Sequence, residues 1–143
     1  MKTFYLASSS KHREATAKRG MLLYEYGLRW FNDWNWPRFE LALFDDALMG
    51  GCVSAGDISA AVGCDVFILY VEPDDPKSMS WAELGARISH HKEAHVITNG
   101  YENAFWTHPC VKVHATWMAF LEWLIQDYGL AYRPRVSDRL PKQ

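Results

Sequence analysis

The pattern of apolar and polar positions predicts strands and helices in alternation. The clearest strand is Val66 to Tyr70, an unbroken β-branched and aromatic run of the kind that is buried on both faces of a parallel sheet. The clearest helix is Trp117 to Tyr128, where apolar residues recur at helical spacing before Gly129. The other predicted strands are Thr3 to Ala7, Leu28 to Phe31, Ala94 to Thr98 and Cys110 to Val113, and the other predicted helices are Lys11 to Tyr26, Phe39 to Met49, a short one that opens at Asp57, and Trp81 to about His91.

This alternation predicts an α/β three-layer sandwich, with a parallel sheet of about five strands in a flavodoxin-like or Rossmann-like arrangement. We expect one domain over residues 1–132 and a polar tail over residues 133–143. In an open parallel sheet, ligands bind outside the carboxyl ends of the strands. The loop from Val71 to Met79 and the start of the next helix are therefore the expected place for chemistry. Within that loop, the acidic segment Glu72 to Pro76 is predicted to be solvated.

Composition narrows the class of protein. A chain of 143 residues with 49% apolar and 15% aromatic residues is long and apolar enough to form one folded core. The net charge of −2 is spread along the chain, which argues against duplex nucleic acid as a partner. No apolar stretch approaches the roughly 18 residues of a membrane span, and the three separated cysteines form no CxxC pair. We therefore expect a cytoplasmic protein with reduced thiols and no membrane partner.

Histidine and cysteine spacing gives no support for a metal centre. The six histidines form no HExxH motif, and no GxSxG motif accompanies them. Surface or strand-end positions are expected for most of them, and His108 and His114 are predicted in late loops that border the site. Neither a metal ion nor another cofactor is predicted.

A serine run follows the first predicted strand. Ser8, Ser9 and Ser10 lead into the first helix, so main-chain N–H groups and hydroxyls lie at a helix N-terminus. Such a turn suits a phosphate or a ribose hydroxyl, and Ser9 is the candidate binding residue. A serine that only caps the helix is the structural alternative, and the sequence leaves both open.

Four short motifs occur in order along roughly the first two thirds of the chain. The first predicted strand carries Tyr5, Asp57 opens a short helix, and Asp65 follows eight residues later (65 − 57 = 8), just before a strand. A Glu-Leu-Gly motif then begins at Glu83. In this order the motifs resemble the nucleoside 2-deoxyribosyltransferase family and its nucleotide N-glycosidase relatives. The resemblance implies a self-associating enzyme that cleaves or exchanges the N-glycosidic bond of a nucleoside or deoxynucleoside, or of its 5′-monophosphate.

The resemblance also implies catalytic roles for individual residues. Glu83 would be the nucleophile that forms a covalent glycosyl-enzyme intermediate, and Asp57 would handle the base or a proton. Tyr5, expected at the carboxyl end of its strand, would donate its phenol to Glu83. Each residue has a structural alternative: Ser80 and Glu83 have the spacing of a capping box, Asp57 suits a helix N-cap, and Tyr5 suits a strand packed under a helix.

Further positions are expected on the substrate side of the pocket. In the family, the segment after the second strand contributes to the nucleobase side, so Trp34 or Trp36 is expected to stack on a base. A loop over the sheet or a subunit contact is the alternative. Asn103 follows the fourth predicted strand, at the same carboxyl edge. The residues that suit a 5′-phosphate are Lys77, Ser78 and Ser80 together with Ser9, with a solvated loop as the alternative.

Departures from the family bear on the choice of reaction. Transferases of the family tend to carry an acid six residues before the Glu, where this chain has Lys77, and residues 137–143 do not match the polar group that they supply from a neighbouring subunit. Both departures favour cleavage over exchange. Asp65 is expected to be structural, and Gly85 is expected to let its helix pack close to the sheet. A nucleotide-binding or sensor protein that keeps the pocket without turnover is the alternative from another functional class.

Overall fold

The computed structural model of the protein describes residues 2–8, 12–31, 57–74, 80–100 and 103–133. The predictions for Ser9, Ser78, the two tryptophans Trp34 and Trp36, and the helix Phe39 to Met49 lie outside the described residues, as does the tail beyond Arg133.

The described elements follow the predicted order. They are β1 (Thr3–Ala7), α1 (Arg13–Glu25), β2 (Arg29–Trp30), α2 (57–63), β3 (Val66–Tyr70), α3 (Ser80–Ser89), β4 (Ala94–Ile97), a 3₁₀ turn (Ala104–Thr107), β5 (Val111–His114) and α4 (Trp117–Tyr128). β1, β3 and α4 have the bounds that the sequence predicts, and α1, β2, α3, β4 and β5 differ from prediction by one or two residues at an end, which is the ordinary uncertainty of helix and strand boundaries. The 3₁₀ turn lies in a segment for which the sequence predicts a loop.

The five strands form one parallel sheet in the order β2-β1-β3-β4-β5. This is the strand order of flavodoxin-like doubly wound folds, so the predicted fold class is confirmed. Strand order reverses between β1 and β3, where Tyr5 is the neighbour of Phe67. Ligands of such folds bind in the crevice at this reversal, outside the carboxyl ends of the two strands.

Side chains alternate between two buried faces of the sheet, as a parallel sheet covered on both sides requires. One face, called here the α2–α3 face, packs under those two helices, and the opposite α1–α4 face packs under the other two. The α2–α3 face contains Tyr5, Ala7, Phe67, Leu69 and Val96 from strands and Ala60, Ala61, Leu84 and Ile88 from helices. The α1–α4 face contains Phe4, Leu6, Ile68 and Ile97 from strands and Leu23, Phe120 and Leu124 from helices.

Local contacts fix the ends of several elements. Thr116 Oγ1 accepts a hydrogen bond from the N–H of Ala119 at 3.0 Å and caps α4, and Gly129 ends that helix in the left-handed conformation with φ of 61°. Gly20 lies so close to Trp30 that a Cβ atom there would be 2.5 Å from the indole. This contact sets the close approach of α1 to β2. No helix in the described ranges is long and apolar enough to cross a membrane.

Asp65 joins the amino ends of β1 and β3. Its Oδ2 accepts hydrogen bonds from the N–H of Thr3 at 2.8 Å and from the Thr3 hydroxyl at 3.2 Å. The N–H bond from Thr3 holds the pKa of Asp65 below its ordinary value. These contacts lie at the sheet edge away from the ligand-binding crevice, which is the structural position expected for this residue.

Candidate functional site

Glu83 lies in the first turn of α3, in the connection that follows the carboxyl end of β3. The next residue, Leu84, is buried in the core and anchors this turn against the sheet. Glu83 itself is half-buried, and its Oε2 atom is shielded from solvent. A carboxylate at this edge is held close to the crevice by the rigid start of a helix.

Arg87, one turn after Glu83, fixes α3 to its neighbour α2. Its side chain is buried, and its guanidinium donates to five main-chain carbonyl oxygens. They are those of Cys64 at 2.7 Å, Glu93 at 2.8 Å, Ala61 and Asp65 at 3.2 Å, and Val62 at 3.3 Å. Four of the five lie at the C-terminal end of α2 or just after it, where the helix dipole is negative and carbonyls lack partners within the helix. The buried cation is therefore compensated by backbone dipoles.

Asp57 and Glu83 both lie toward the carboxyl edge of the sheet. Both helices run from the carboxyl edge of the sheet toward its amino edge, because α2 leads into β3 and α3 leads into β4. Glu83 is in the first turn of α3, four residues before Arg87, and Asp57 is the first described residue of α2, four residues before Ala61. Arg87 joins α3 to the C-terminal end of α2, at the opposite end of the two helices from these acids.

Tyr5 lies on the same face of the sheet as these two helices. It belongs to the core cluster that also includes Ala61 and Leu84, and its ring stacks on Phe67 with centroids 6.3 Å apart and planes 19° apart. It occupies the middle of β1, not the carboxyl end as predicted, since the strand continues two residues further. The three predicted catalytic residues thus converge on one face, and the hydrogen bond from Tyr5 to Glu83 stays a prediction.

Of the predicted substrate-binding residues, the structure describes the side chain of Asn103 alone. Asn103 uses its Oδ1 to accept a hydrogen bond from the N–H of Phe105 at 2.8 Å, so it caps the 3₁₀ turn. Ser80 is the first residue of α3, and its side chain lies outside the described part, with Ser9, Ser78, Trp34 and Trp36. Gly85 does not mediate close packing, because a Cβ atom there would meet nothing within 4 Å.

A pair of stacked tryptophans lies beside α3, and the sequence did not indicate it. Trp81 and Trp106 have ring centroids 5.5 Å apart and planes 20° apart, and Phe105 packs against Trp81 with 48% of its surface exposed. Trp81 precedes Glu83 by two residues, so the two side chains leave the helix in nearly opposite directions. The aromatic group therefore faces β4 and β5, while Glu83 is on the side of α2.

The prediction of a solvated loop after β3 is wrong for Glu72. Its side chain is only 7% exposed, and Oε1 lies 3.0 Å from Nη1 of Arg19 in α1. The same guanidinium lies over the ring of Tyr70, 3.5 Å from its centroid. Ser8 Oγ also donates to Glu72 Oε1, at 3.4 Å. Arg19 thus compensates the buried charge of Glu72, two residues after the end of β3.

His12 links this buried pair to Asp74. His12 Nε2 lies 2.8 Å from Asp74 Oδ1, and His12 Nδ1 lies 3.8 Å from Glu72 Oε2. The three residues carry metal-ligand atoms within 4.8 Å of one another. However, the two carboxylates face opposite nitrogens of the ring, and Arg19 already holds Glu72. This geometry is that of a chain of polar contacts, in which the His12 ring lies between two carboxylates.

His114 lies in β5, not in a loop as predicted, and it contacts His95 of β4 on the α1–α4 face. His95 is almost fully buried and lies 3.0 Å from Glu93 Oε1. Burial lowers the pKa of His95 from 6.5 to about 4 and also lowers the pKa of His114. His108 caps its own turn, since its Nδ1 accepts from the N–H of Cys110 at 3.0 Å.

Comparison of the chain with protein-family models, with curated proteins and with solved structures finds no match in any of the three. The assignment of chemistry therefore rests on the residues themselves and on where the fold places them.

Proposed function

We propose that the protein cleaves or exchanges the N-glycosidic bond of a nucleoside or deoxynucleoside, or of its 5′-monophosphate. The observation that carries the proposal is that Glu83 and Asp57 both lie toward the carboxyl edge of the sheet, on two helices that Arg87 joins. Glycosyl transfer needs a carboxylate at C1′ and a second group that manages the proton of the leaving base. Two acids on neighbouring helices at this edge are the candidates for these two roles.

In the proposed reaction, a carboxylate oxygen of Glu83 attacks C1′ while the bond from C1′ to the base nitrogen breaks. The electron pair of that bond leaves with the base, which takes a proton from the carboxylic acid form of Asp57. Water, or the N–H nitrogen of a second base, then attacks C1′ and gives its proton to the Asp57 carboxylate, while the bond from C1′ to Glu83 breaks and frees the Glu83 carboxylate. Two displacements at C1′ give net retention of configuration. Tyr5 beneath the helices is proposed to orient Glu83.

The test is incubation of the protein with a panel of nucleosides and 5′-monophosphates, with and without a second free base, followed by chromatography of the bases. Released base identifies cleavage, and a new nucleoside identifies exchange. The Glu83→Gln variant is expected to lose at least about 1,000-fold in rate, because its amide cannot act as the nucleophile. Glu14→Gln is the matched control, since Glu14 is an exposed glutamate in the first turn of α1.

Two results would overturn this proposal. Full activity of Glu83→Gln would exclude Glu83 as the nucleophile. Tight binding of a nucleotide by the unmodified protein, without release of base from any panel member, would instead support the nucleotide-binding or sensor alternative. In that case Glu83 would serve the start of α3 as a capping-box residue.

A further inference from the structure

We propose that Arg87 is a positioning residue for the reaction, which holds Glu83 at working distance from Asp57. This inference rests on the proposed function and deepens it. Arg87 does not reach the reacting atoms, because its guanidinium is engaged with main-chain carbonyls near the amino edge of the sheet. It acts through the placement of α3.

Arg87 is a long polar side chain that joins α3 to the C-terminal end of α2. The α2 residues at the α2–α3 core are the small side chains Ala60 and Ala61, which allow close approach but specify no register. Arg87 fixes the position of α3 along α2, because a planar guanidinium with five N–H donors can hydrogen-bond only to carbonyls in a narrow range of positions. It donates to the carbonyls of Ala61, Val62 and Cys64, at three points along the C-terminal end of α2.

The placement of α3 that Arg87 fixes is transmitted to Glu83 without a flexible connection. Glu83 and Arg87 are one helical turn apart in α3, on neighbouring positions of the same helix surface. Any rotation or slide of α3 that loosens Arg87 therefore moves Glu83 relative to α2. Displacement of a reacting group by about 1 Å costs on the order of 100-fold in rate.

The control residue is Lys92, which lies after α3. Its Nζ donates to the carbonyl of Val62 at 2.6 Å, so it also caps α2. Its own side chain is exposed and belongs to the turn before β4. Lys92→Met thus removes a cap from the same helix end while leaving the attachment of α3 in place.

The activity test compares Arg87→Met, Arg87→Lys and Lys92→Met on the substrate found with the nucleoside panel, at temperatures below each melting transition. We expect Arg87→Met to lower kcat by about 10- to 100-fold with KM within about threefold, because the pocket persists while its nucleophile is misplaced. Arg87→Lys is expected to be intermediate, since an ammonium keeps the charge but reaches fewer carbonyls. Lys92→Met is expected to stay within about twofold of the unmodified protein.

A second measurement tests the positioning without any activity. Spin labels at Ser59 and Ala82, both exposed, report the separation of α2 and α3 by pulsed electron paramagnetic resonance, with Cys52 and Cys110 replaced by serine. We expect Arg87→Met to shift or broaden the distance distribution and Lys92→Met to leave it unchanged. If Glu83→Gln retained activity, the proposed function would fail while this measurement still decided the placement of α3. An Arg87→Met protein with unchanged kcat, or an unchanged distance distribution, would overturn the inference.

Discussion

The imidazoles of His95 and His114 are in direct contact, with His95 Nδ1 3.1 Å from His114 Nε2. The other nitrogen of His95 lies 3.0 Å from Glu93 Oε1. Because a carboxylate only accepts, His95 Nε2 carries its proton, and His95 Nδ1 is then the acceptor for the Nε2–H of His114. Glu93, His95 and His114 can therefore form both hydrogen bonds while the two imidazoles are neutral.

The surroundings of this pair favour the neutral form. Lys112 on β5 lies 3.1 Å from the second oxygen of Glu93, and the ring of Trp123 from α4 lies 4.4 Å from that of His95. Lys112 also lies over the Trp123 ring, 4.7 Å from its centroid. A proton on either imidazole would therefore be buried against aromatic rings, close to a lysine.

We predict that the protein loses stability as pH falls from about 6.5 to 4. The unfolded chain protonates His95 near its ordinary pKa of 6.5, whereas the folded chain does so only near 4, so acid favours unfolding in this window. The lowered pKa of His114 acts in the same direction. Each proton bound only by the unfolded state contributes a slope of at most about 1.4 kcal/mol per pH unit. Urea unfolding at pH 7.5, 6.5, 5.5 and 4.5 measures the free energy of unfolding across this window.

The matched variants for this prediction are His95→Gln and His90→Gln. Glutamine at position 95 keeps a side-chain donor and acceptor but does not titrate. The slope of the free energy of unfolding against pH, between pH 6.5 and 4.5, should therefore fall by the contribution of about one proton. His90 is exposed after α3, and its replacement should leave the slope unchanged. Equal slopes in His95→Gln and the unmodified protein would show that the pair does not control acid stability.

We also predict that Cys64 does not react with thiol reagents in the folded protein. Burial raises the pKa of Cys64 from 9.0 to about 11, so almost none of it is thiolate at neutral pH, and its side chain is shielded from the reagent. Cys110 is only half-buried and should be modified before Cys64. Kinetics with an aromatic disulfide reagent at pH 8, in a protein with Cys52 and Cys110 replaced by serine, isolate Cys64.

In that protein the modification rate should follow unfolding. Urea below the unfolding transition should accelerate the reaction in parallel with the unfolded fraction, because only the open chain exposes the thiol. Rapid labelling without urea, at a rate close to that of the fully unfolded chain, would contradict the buried environment. Arg87→Met offers a further comparison, since Arg87 Nη1 lies 3.6 Å from Cys64 Sγ and its loss should open this region.

The parts of the fold that the sequence predicted are those in which one signal was unambiguous. β3 is an apolar run without interruption, and α4 has apolar helical spacing with Thr116 before it and Gly129 after it. The alternation of strands with helices then restricted the topology to a parallel doubly wound sheet. Topology in turn brought Tyr5 to the same face as α2 and α3, although the three segments are far apart in the chain.

The parts that the sequence did not predict depend on contacts between distant segments. Glu72 stands among acidic and proline residues that suggest solvent, and its burial depends on Arg19, 53 residues earlier. Arg87 shows the same difficulty, because its acceptors are main-chain carbonyls, which every residue has and no side-chain pattern reveals. The stacking of Trp81 on Trp106 likewise follows from the position of the 3₁₀ turn beside α3.

The last prediction concerns the buried ion pair between Arg19 and Glu72. Removing one partner leaves the other charge buried without compensation, which typically costs about 3–5 kcal/mol. We expect Glu72→Gln and Arg19→Met each to lower the free energy of unfolding by roughly 2–4 kcal/mol. In Glu72→Gln the loss is moderated because Arg19 is 18% exposed and retains its contact with Tyr70. In Arg19→Met it is moderated because an apolar side chain replaces the guanidinium. Urea unfolding at pH 7 measures both variants.

The double variant separates a pair from two independent contacts. Arg19→Met with Glu72→Gln leaves no uncompensated charge, so it should lose less than the sum of the single variants, with a coupling of about 1–3 kcal/mol. Asp74→Asn serves as the control, because the Asp74 side chain is 63% exposed and its contact with His12 should contribute less than about 1 kcal/mol. Additive losses in the double variant would mean that Glu72 is buried for reasons other than Arg19, and a cost at Asp74 as large as at Glu72 would place the main stabilising contact at His12 instead.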